Sequence, residues 1–200
     1  MFVMIKTCLK FFSLFLLINF FSLKLIALDD SDVFLDAVFI SAIKKSDYQK
    51  VLNMIEESNS TNEKRVFLNS LDSEKMSPLA YALKNEDLKM YNILIKNGAS
   101  PKKKILNGSS LLNFYVTSNK SKLIENIVDS GCNINSQDKI GRTAMMMAIQ
   151  VANTKAMEVL SRMKIDLEIT DYSGKTIFDY AESLRDKRIK EFIRSLLDTN

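Results

Sequence analysis

The sequence predicts an all-α solenoid of about five helix pairs joined by β-turn or hairpin connections, and three observations carry that prediction. Small hydroxyl residues recur at Ser77, Ser110, Thr143 and Thr176, each 33 residues after the last and each opening an apolar, helix-like run. Every glycine falls in one of two series with the same spacing: Gly108, Gly141 and Gly174, then Gly98 and Gly131. Glycine enters left-handed backbone without the ~1–2 kcal/mol that a side chain costs there, so two fixed places per unit need such a turn. Apolar residues keep the period too, with Leu79, Leu112, Met145 and Phe178 in the first half of the unit and Leu94, Ile127, Leu160 and Ile193 in the second.

Residues 1–27 read as a leader. Lys6 and Lys10 precede an apolar run, FFSLFLLINFFSL, and a small residue follows at Ala27. That is the layout of a secretory signal peptide. The run is short of the ~20 residues that cross a membrane, although extension past Lys24 to Leu28 would let it stay as an uncleaved inner-membrane anchor. Cys8 lies before the apolar run, where a lipidated cysteine would not be. The expectation is an exported protein, periplasmic or secreted and of bacterial type, with the anchored form as the alternative.

Residues 28–71 are expected to form an N-terminal capping helix pair and a loop. Asp29, Asp30, Ser31 and Asp32 offer N-caps at the positive end of a helix dipole, and Val33, Phe34, Ala37, Val38 and Ile40 to Ala42 supply an apolar stripe. A second helix starts at Ser46 or Asp47, with Val51, Leu52 and Ile55 facing inward. Ala42 to Asp47 parallels Ala82 to Asp87 at an offset of 40, so the extra residues fall in the polar stretch Ser58 to Arg65, which is expected to be a loop. Regular units follow at 72–104, 105–137 and 138–170, and a C-terminal cap at 171–200. Lys75 replaces glycine in the first unit, so that turn is expected to be looser or differently shaped. In the second, Ile105 replaces the turn aspartate. In the last, Lys190 and Arg194 occupy places that are mostly apolar upstream, as suits a cap facing water.

These residues resemble the ankyrin repeat, whose turn reads D-x-x-G-x-T-P-L-H-x-A ahead of two antiparallel helices and a Gly-Ala loop. Asp138, Gly141, Thr143 and Ala148 match in one unit, and Asp171, Gly174, Thr176 and Ala181 in the next. Ser77, Pro78, Leu79 and Ala82 supply a third match, and Gly98-Ala99 the loop. The resemblance covers roughly residues 34–200. At the histidine position stand Ala80, Asn113, Met146 and Asp179, so the family's histidine network is absent.

Composition narrows the chemistry. The chain has no histidine, which removes Ser-His-Asp and Cys-His catalysis and the commonest metal ligand. Of two cysteines, Cys8 lies in the leader, and Cys132 occupies the place of a small buried alanine, where a packed thiol is expected. The glycine spacings fit no phosphate-binding loop. Asp138 and Asp171 would be the tempting acid/base pair, but a turn carboxylate accepts local backbone hydrogen bonds. Met145, Met146 and Met147 lie about 100° apart on a helix and cannot converge on one ion, so packing with one exposed sulfur is expected. No catalytic residue, cofactor or metal is expected. Lys6, Lys10 and Lys24 make up most of the net charge of +4, and residues 28–200 hold 25 basic against 24 acidic side chains. That balance argues against nucleic acid as a partner.

A surface remains. In ankyrin proteins the turn tips and the ends of the first helices form a concave recognition face, and the resemblance implies the same here. The tip residues are Lys102, Lys103, Lys104, Lys139, Ile140, Arg142, Tyr172 and Lys175. The helix-end residues are Lys84, Asn85, Thr117, Ser118, Gln150, Val151, Ser183 and Leu184. The expected function is a non-catalytic, monomeric protein-binding module whose partner presents acidic side chains around an apolar anchor. The alternative is a membrane-tethered periplasmic scaffold.

Overall fold

The computed structural model describes residues 34–60 and 66–198. The expected leader and cleavage site, the N-caps expected at Asp29 to Asp32, and Val33 lie outside the described residues. The chain divides into two units, residues 1–39 and 40–200. Residues 34–44 are helical (α1), and the division falls after Phe39. The apolar stripe expected along α1 is rotated: Phe34 is 69% exposed and Ala37 is also exposed, whereas Phe39, Ile40, Ala42 and Ile43 are buried.

The second unit contains the repeats. Its helices are α2 (Tyr48–Ser60), α3 (Pro78–Lys84), α4 (Leu88–Lys96), α5 (Leu111–Thr117), α6 (Ile124–Asp129), α7 (Ala144–Gln150), α8 (Thr154–Ser161), α9 (Ile177–Glu182) and α10 (Lys187–Asp198). The described residues contain no strand. Helix α2 continues through Ser58–Ser60, where a loop is expected from the polar composition. The helices pair within each repeat, as α3 with α4, α5 with α6, α7 with α8 and α9 with α10. First helices stack in the order α3, α5, α7, α9, and α6 stacks on α8. The fold is the all-α solenoid that the 33-residue period predicts.

The hydroxyl series is the N-cap series. Ser77 accepts the amide of Ala80, Ser110 that of Asn113, Thr143 that of Met146 and Thr176 that of Asp179. Each first helix has six or seven residues, too short to persist alone in water, so the caps position helices that neighbouring repeats stabilise. Leu94, Ile127, Leu160 and Ile193 are 0% exposed. Leu79, Leu112 and Met145 are buried as expected, but Phe178 is half-buried, because the last repeat has no later repeat to cover it among the described residues. Met145, Met146 and Met147 are all buried, so the exposed sulfur that helical spacing predicts is absent. Cys132 is buried, and that burial pushes its thiol up.

All five glycines have positive φ. A third left-handed series carries no glycine. Glu86, Asn119 and Ala152 have φ of 54°, 57° and 54°, and Ser46 matches them in the capping pair. Each ends a first helix. Beyond three of them, the amides of Asp47, Asp87 and Asn153 reach back to the carbonyls of Ala42, Ala82 and Ala148 at 2.8–3.0 Å, satisfying carbonyls that the helix end leaves open.

Polar side chains lock one repeat to the next. Asn113, at the position where the family keeps histidine, donates to the carbonyls of Ser136 and Arg142. Asn153 donates to Val116 and Lys120. Ser46 and Tyr48 both donate to Asp87. Asp179 closes a capping box on Thr176, and Met146 does so through its sulfur. Lys190 and Arg194 reach back to Glu182. This last pairing stays within residues 171–198.

Candidate interaction face

Four tips project from the repeats, and three share one construction. The carboxylates of Asp72, Asp138 and Asp171 each accept two backbone amides: Glu74 and Met76, Ile140 and Arg142, Ser173 and Lys175. The second oxygen of Asp72 accepts the Tyr81 hydroxyl and that of Asp171 accepts the Tyr180 hydroxyl. That of Asp138 takes both Nε and Nη2 of Arg142. Burial works to raise the Asp138 carboxyl, but the amide and guanidinium of Arg142 outweigh it and hold the group below its ordinary 3.8. Asp171 is held far lower by the Ser173 hydroxyl and the Lys175 amide. These carboxylates are turn braces, as expected of Asp138 and Asp171, and both oxygens of each accept hydrogen bonds.

The tip of the first repeat is not loosened by Lys75. Lys75 takes φ of 60°, beside 88° at Gly141 and 84° at Gly174, and the amide of Asp72 bonds to the Met76 carbonyl as that of Asp138 does to Arg142. The second tip is the one that differs. Ile105 has no carboxylate, and Asn107 and Gly108 are both left-handed, at 57° and 66°.

Adjacent tips join through the backbone. The Tyr172 amide donates to the Ile140 carbonyl at 3.0 Å and the Lys139 amide to the Asn107 carbonyl at 3.4 Å. A Cβ on Gly141 would lie 2.6 Å from both the amide nitrogen and Cδ1 of Tyr172. Glycine therefore lets Tyr172 lie against the preceding tip, and the residue is 74% exposed beside the 53% exposed Ile140.

The predicted site residues separate into groups. Ile140 and Tyr172 stand side by side as expected. Arg142 Nη1 donates to Gln150 Oε1 at 2.8 Å, which ties a tip to the end of α7. Arg142 is thus a brace between Asp138 and Gln150 and is not a free cation on the face. Gln150, Lys175, Ser183 and Leu184 line one cleft of about 250 Å³ with Asp179 and Tyr180. Val151 caps α7 and is 41% exposed. Lys84 and Asn85 end α3, where Asn85 donates to the Lys44 carbonyl. Ser118 and Ser183 cap α5 and α9, and Thr117 ends α5.

Lys102, Lys103 and Lys104 are not on a tip. They precede it in the connection, and Lys104 is committed to Ser136 and the Gln137 carbonyl. The second tip instead presents Leu106, 46% exposed. Subtracting 33 from Lys139 reaches Leu106, so the period carries the signal. Among the described residues, no group of three or more Cys, Asp or Glu side chains is arranged to hold a metal ion, and no helix is long and apolar enough to cross a membrane.

Residues 112–200 match the family model for ankyrin repeats, in three copies. This part of the chain is similar to ankyrin repeats. A UPF0507 protein of Yarrowia lipolytica is 28% identical over 137 residues, which cover 61% of this chain and 12% of that protein. A putative ankyrin repeat protein of Acanthamoeba polyphaga mimivirus is 32% identical over 74 residues, covering 37% of this chain and 10% of its own. The chain thus spans about a tenth of the length of the curated relatives it matches. Ankyrin repeats generally mediate protein–protein interaction and are typically non-catalytic. The asparagine at position 113 shows how these repeats bridge neighbouring turns without histidine.

Proposed function

We propose that the ankyrin repeats form an exported, non-catalytic module that binds a protein partner through the tips and first-helix ends. The observation that carries this reading is the exposed pair Ile140 and Tyr172, held on adjacent tips by a backbone hydrogen bond. Exposed aromatic and aliphatic groups on a rigid frame bind with little ordering cost. The tip backbone is braced by buried aspartates, so the pair is preorganised.

The test is affinity capture with the full chain beside a variant carrying Lys139→Glu, Ile140→Ser and Tyr172→Ala. Arg142 stays unchanged because it braces Asp138. A partner retained by the parent should be lost by the variant while the melting curve stays in place. Retention by a folded variant would move the interface off this face.

Export rests on the order of basic, apolar and small residues in 1–27. Amino-terminal sequencing of the protein recovered from cells should give a start near residue 28. A chain that begins at Met1 and fractionates with membranes would replace the soluble module with a tethered one.

A further inference from the structure

Among the described residues five large apolar side chains are strongly exposed, and four of them, Leu106, Ile140, Val151 and Tyr172, lie on tips or helix ends of this one face. Three of the four belong to the repeats at 138–170 and 171–200. Charge divides the face in the same way. Toward the N-terminus, exposed Lys75 and Lys84 alternate with exposed Glu74 and Glu86. Toward the C-terminus, Lys139 and Lys175 are exposed and form no ion pair among the described residues. Most acceptors near them are already engaged: Asp138 by Arg142 and Asp171 by Ser173, Lys175 and Tyr180, while the exposed Asp179 holds Thr176 through Oδ2 and shares the cleft lining with Lys175. Their charge still offsets part of the field, but they offer few lone pairs to the lysine ammonium groups, which keep their donors for a ligand.

The cleft of about 250 Å³ lies where these features meet, with Lys175 and Gln150 in its lining and Leu184 as its apolar element. Through Gln150 it is tied to Arg142 and so to the tip that carries Ile140. Resting on the reading that this face binds protein, we infer that the occupant is an extended acidic segment of the partner, confined to the last two repeats. It places an apolar side chain on Ile140 and Tyr172 and a carboxylate on Lys175 at the cleft. A lysine–carboxylate hydrogen bond beside an apolar anchor gives both register and affinity, and the balanced charges of the N-terminal tips give neither.

Selection of displayed random peptides on the immobilised full chain tests this directly. Enriched peptides should combine Asp or Glu with Leu, Ile or Phe. They should bind Tyr172→Ala and Lys175→Glu about tenfold more weakly than the parent or worse, and bind Lys75→Glu as tightly as the parent. Melting curves check each variant, and Ile140→Ser replaces Tyr172→Ala if the latter loosens the tip. Peptides enriched without acidic residues, equal binding to Lys175→Glu, equal weakening by Lys75→Glu, or a selection that enriches nothing would each overturn the inference. Any of these results, with a natural partner still lost by the Lys139, Ile140 and Tyr172 variant, leaves the general reading standing. A partner indifferent to both sets of variants removes the two together.

Discussion

The first and second tips of the solenoid lack different parts of the same motif, and they do not suffer equally. The first keeps Asp72 but has Lys75 where glycine recurs, and its turn has the same bonds as those at Asp138 and Asp171. The second keeps Gly108 but has Ile105 in place of aspartate, and there Asn107 turns left-handed as well. The carboxylate therefore sets the shape of the tip. Two amides converging on one oxygen hold the turn firmly enough for a lysine to bear φ of 60°, a cost of about 1–2 kcal/mol. Without that acceptor the second tip keeps its two backbone bonds, from the Ile105 amide to Ser109 and from the Gly108 amide to Ile105, but turns Asn107 left-handed as well.

Gly141 shows when glycine is nonetheless required. Its Cβ would meet the backbone of Tyr172, whereas nothing lies within 4 Å of a Cβ on Gly174. The need comes from the neighbouring repeat and adds to that from φ. Gly141→Val should accordingly give the largest effect, a loss of about 3 kcal/mol or more from strain and collision together. It should also displace Tyr172, seen as a changed ring environment in NMR spectra. A melting curve like the parent's would mean that Tyr172 does not rest on this tip.

Asp138→Ala should cost about 2 kcal/mol, because two amides and the Arg142 guanidinium lose their acceptor in a side chain only 2% exposed. The third tip should then resemble the second. The sign with pH follows from the depressed carboxyls of Asp72, Asp87, Asp138 and Asp171. Each binds its proton more weakly folded than unfolded, so its contribution is present above about 3.8, the ordinary value, and is lost as pH falls through the folded values. The difference between parent and Asp138→Ala should therefore shrink below about pH 4 in urea titrations. A difference that stayed constant down to about pH 2 would detach the stabilisation from the ionised carboxylate.

Lys75→Gly should give the smallest effect. Relief of the left-handed strain and the greater freedom of the unfolded chain oppose one another, leaving the variant within about 1 kcal/mol of the parent. A large gain would show that the first tip stores strain that its aspartate does not offset.

The 33-residue period makes most of this architecture legible in the sequence. Spacing places the N-caps, the glycine turns and the core rows, because each repeat solves the same local problem with the same residue types. The left-handed ends of the first helices are not legible in the same way, because Glu86, Asn119 and Ala152 have no residue type in common. At Glu86 and Ala152 the next amide closes onto an alanine carbonyl of the helix end, a backbone requirement that sets no side-chain type. Within the candidate face, Ile140 and Tyr172 follow from the tip positions that the family resemblance supplies. Leu106 falls outside the predicted set, which holds the lysines just before it, though one subtraction of 33 from Lys139 finds it.

By itself the sequence determined a repeating helical frame, its caps and its turns, since hydrogen bonding and periodic burial act over a few residues. It also determined that no histidine takes part in any chemistry here. Tertiary structure alone decided which charges remain free on the surface. Arg142 turns inward to Asp138 and Gln150, and Lys104 to the next connection, while Lys139 and Lys175 stay available. The side chains on a tip look alike in one dimension, and only the position of the next repeat determines which of them find a partner.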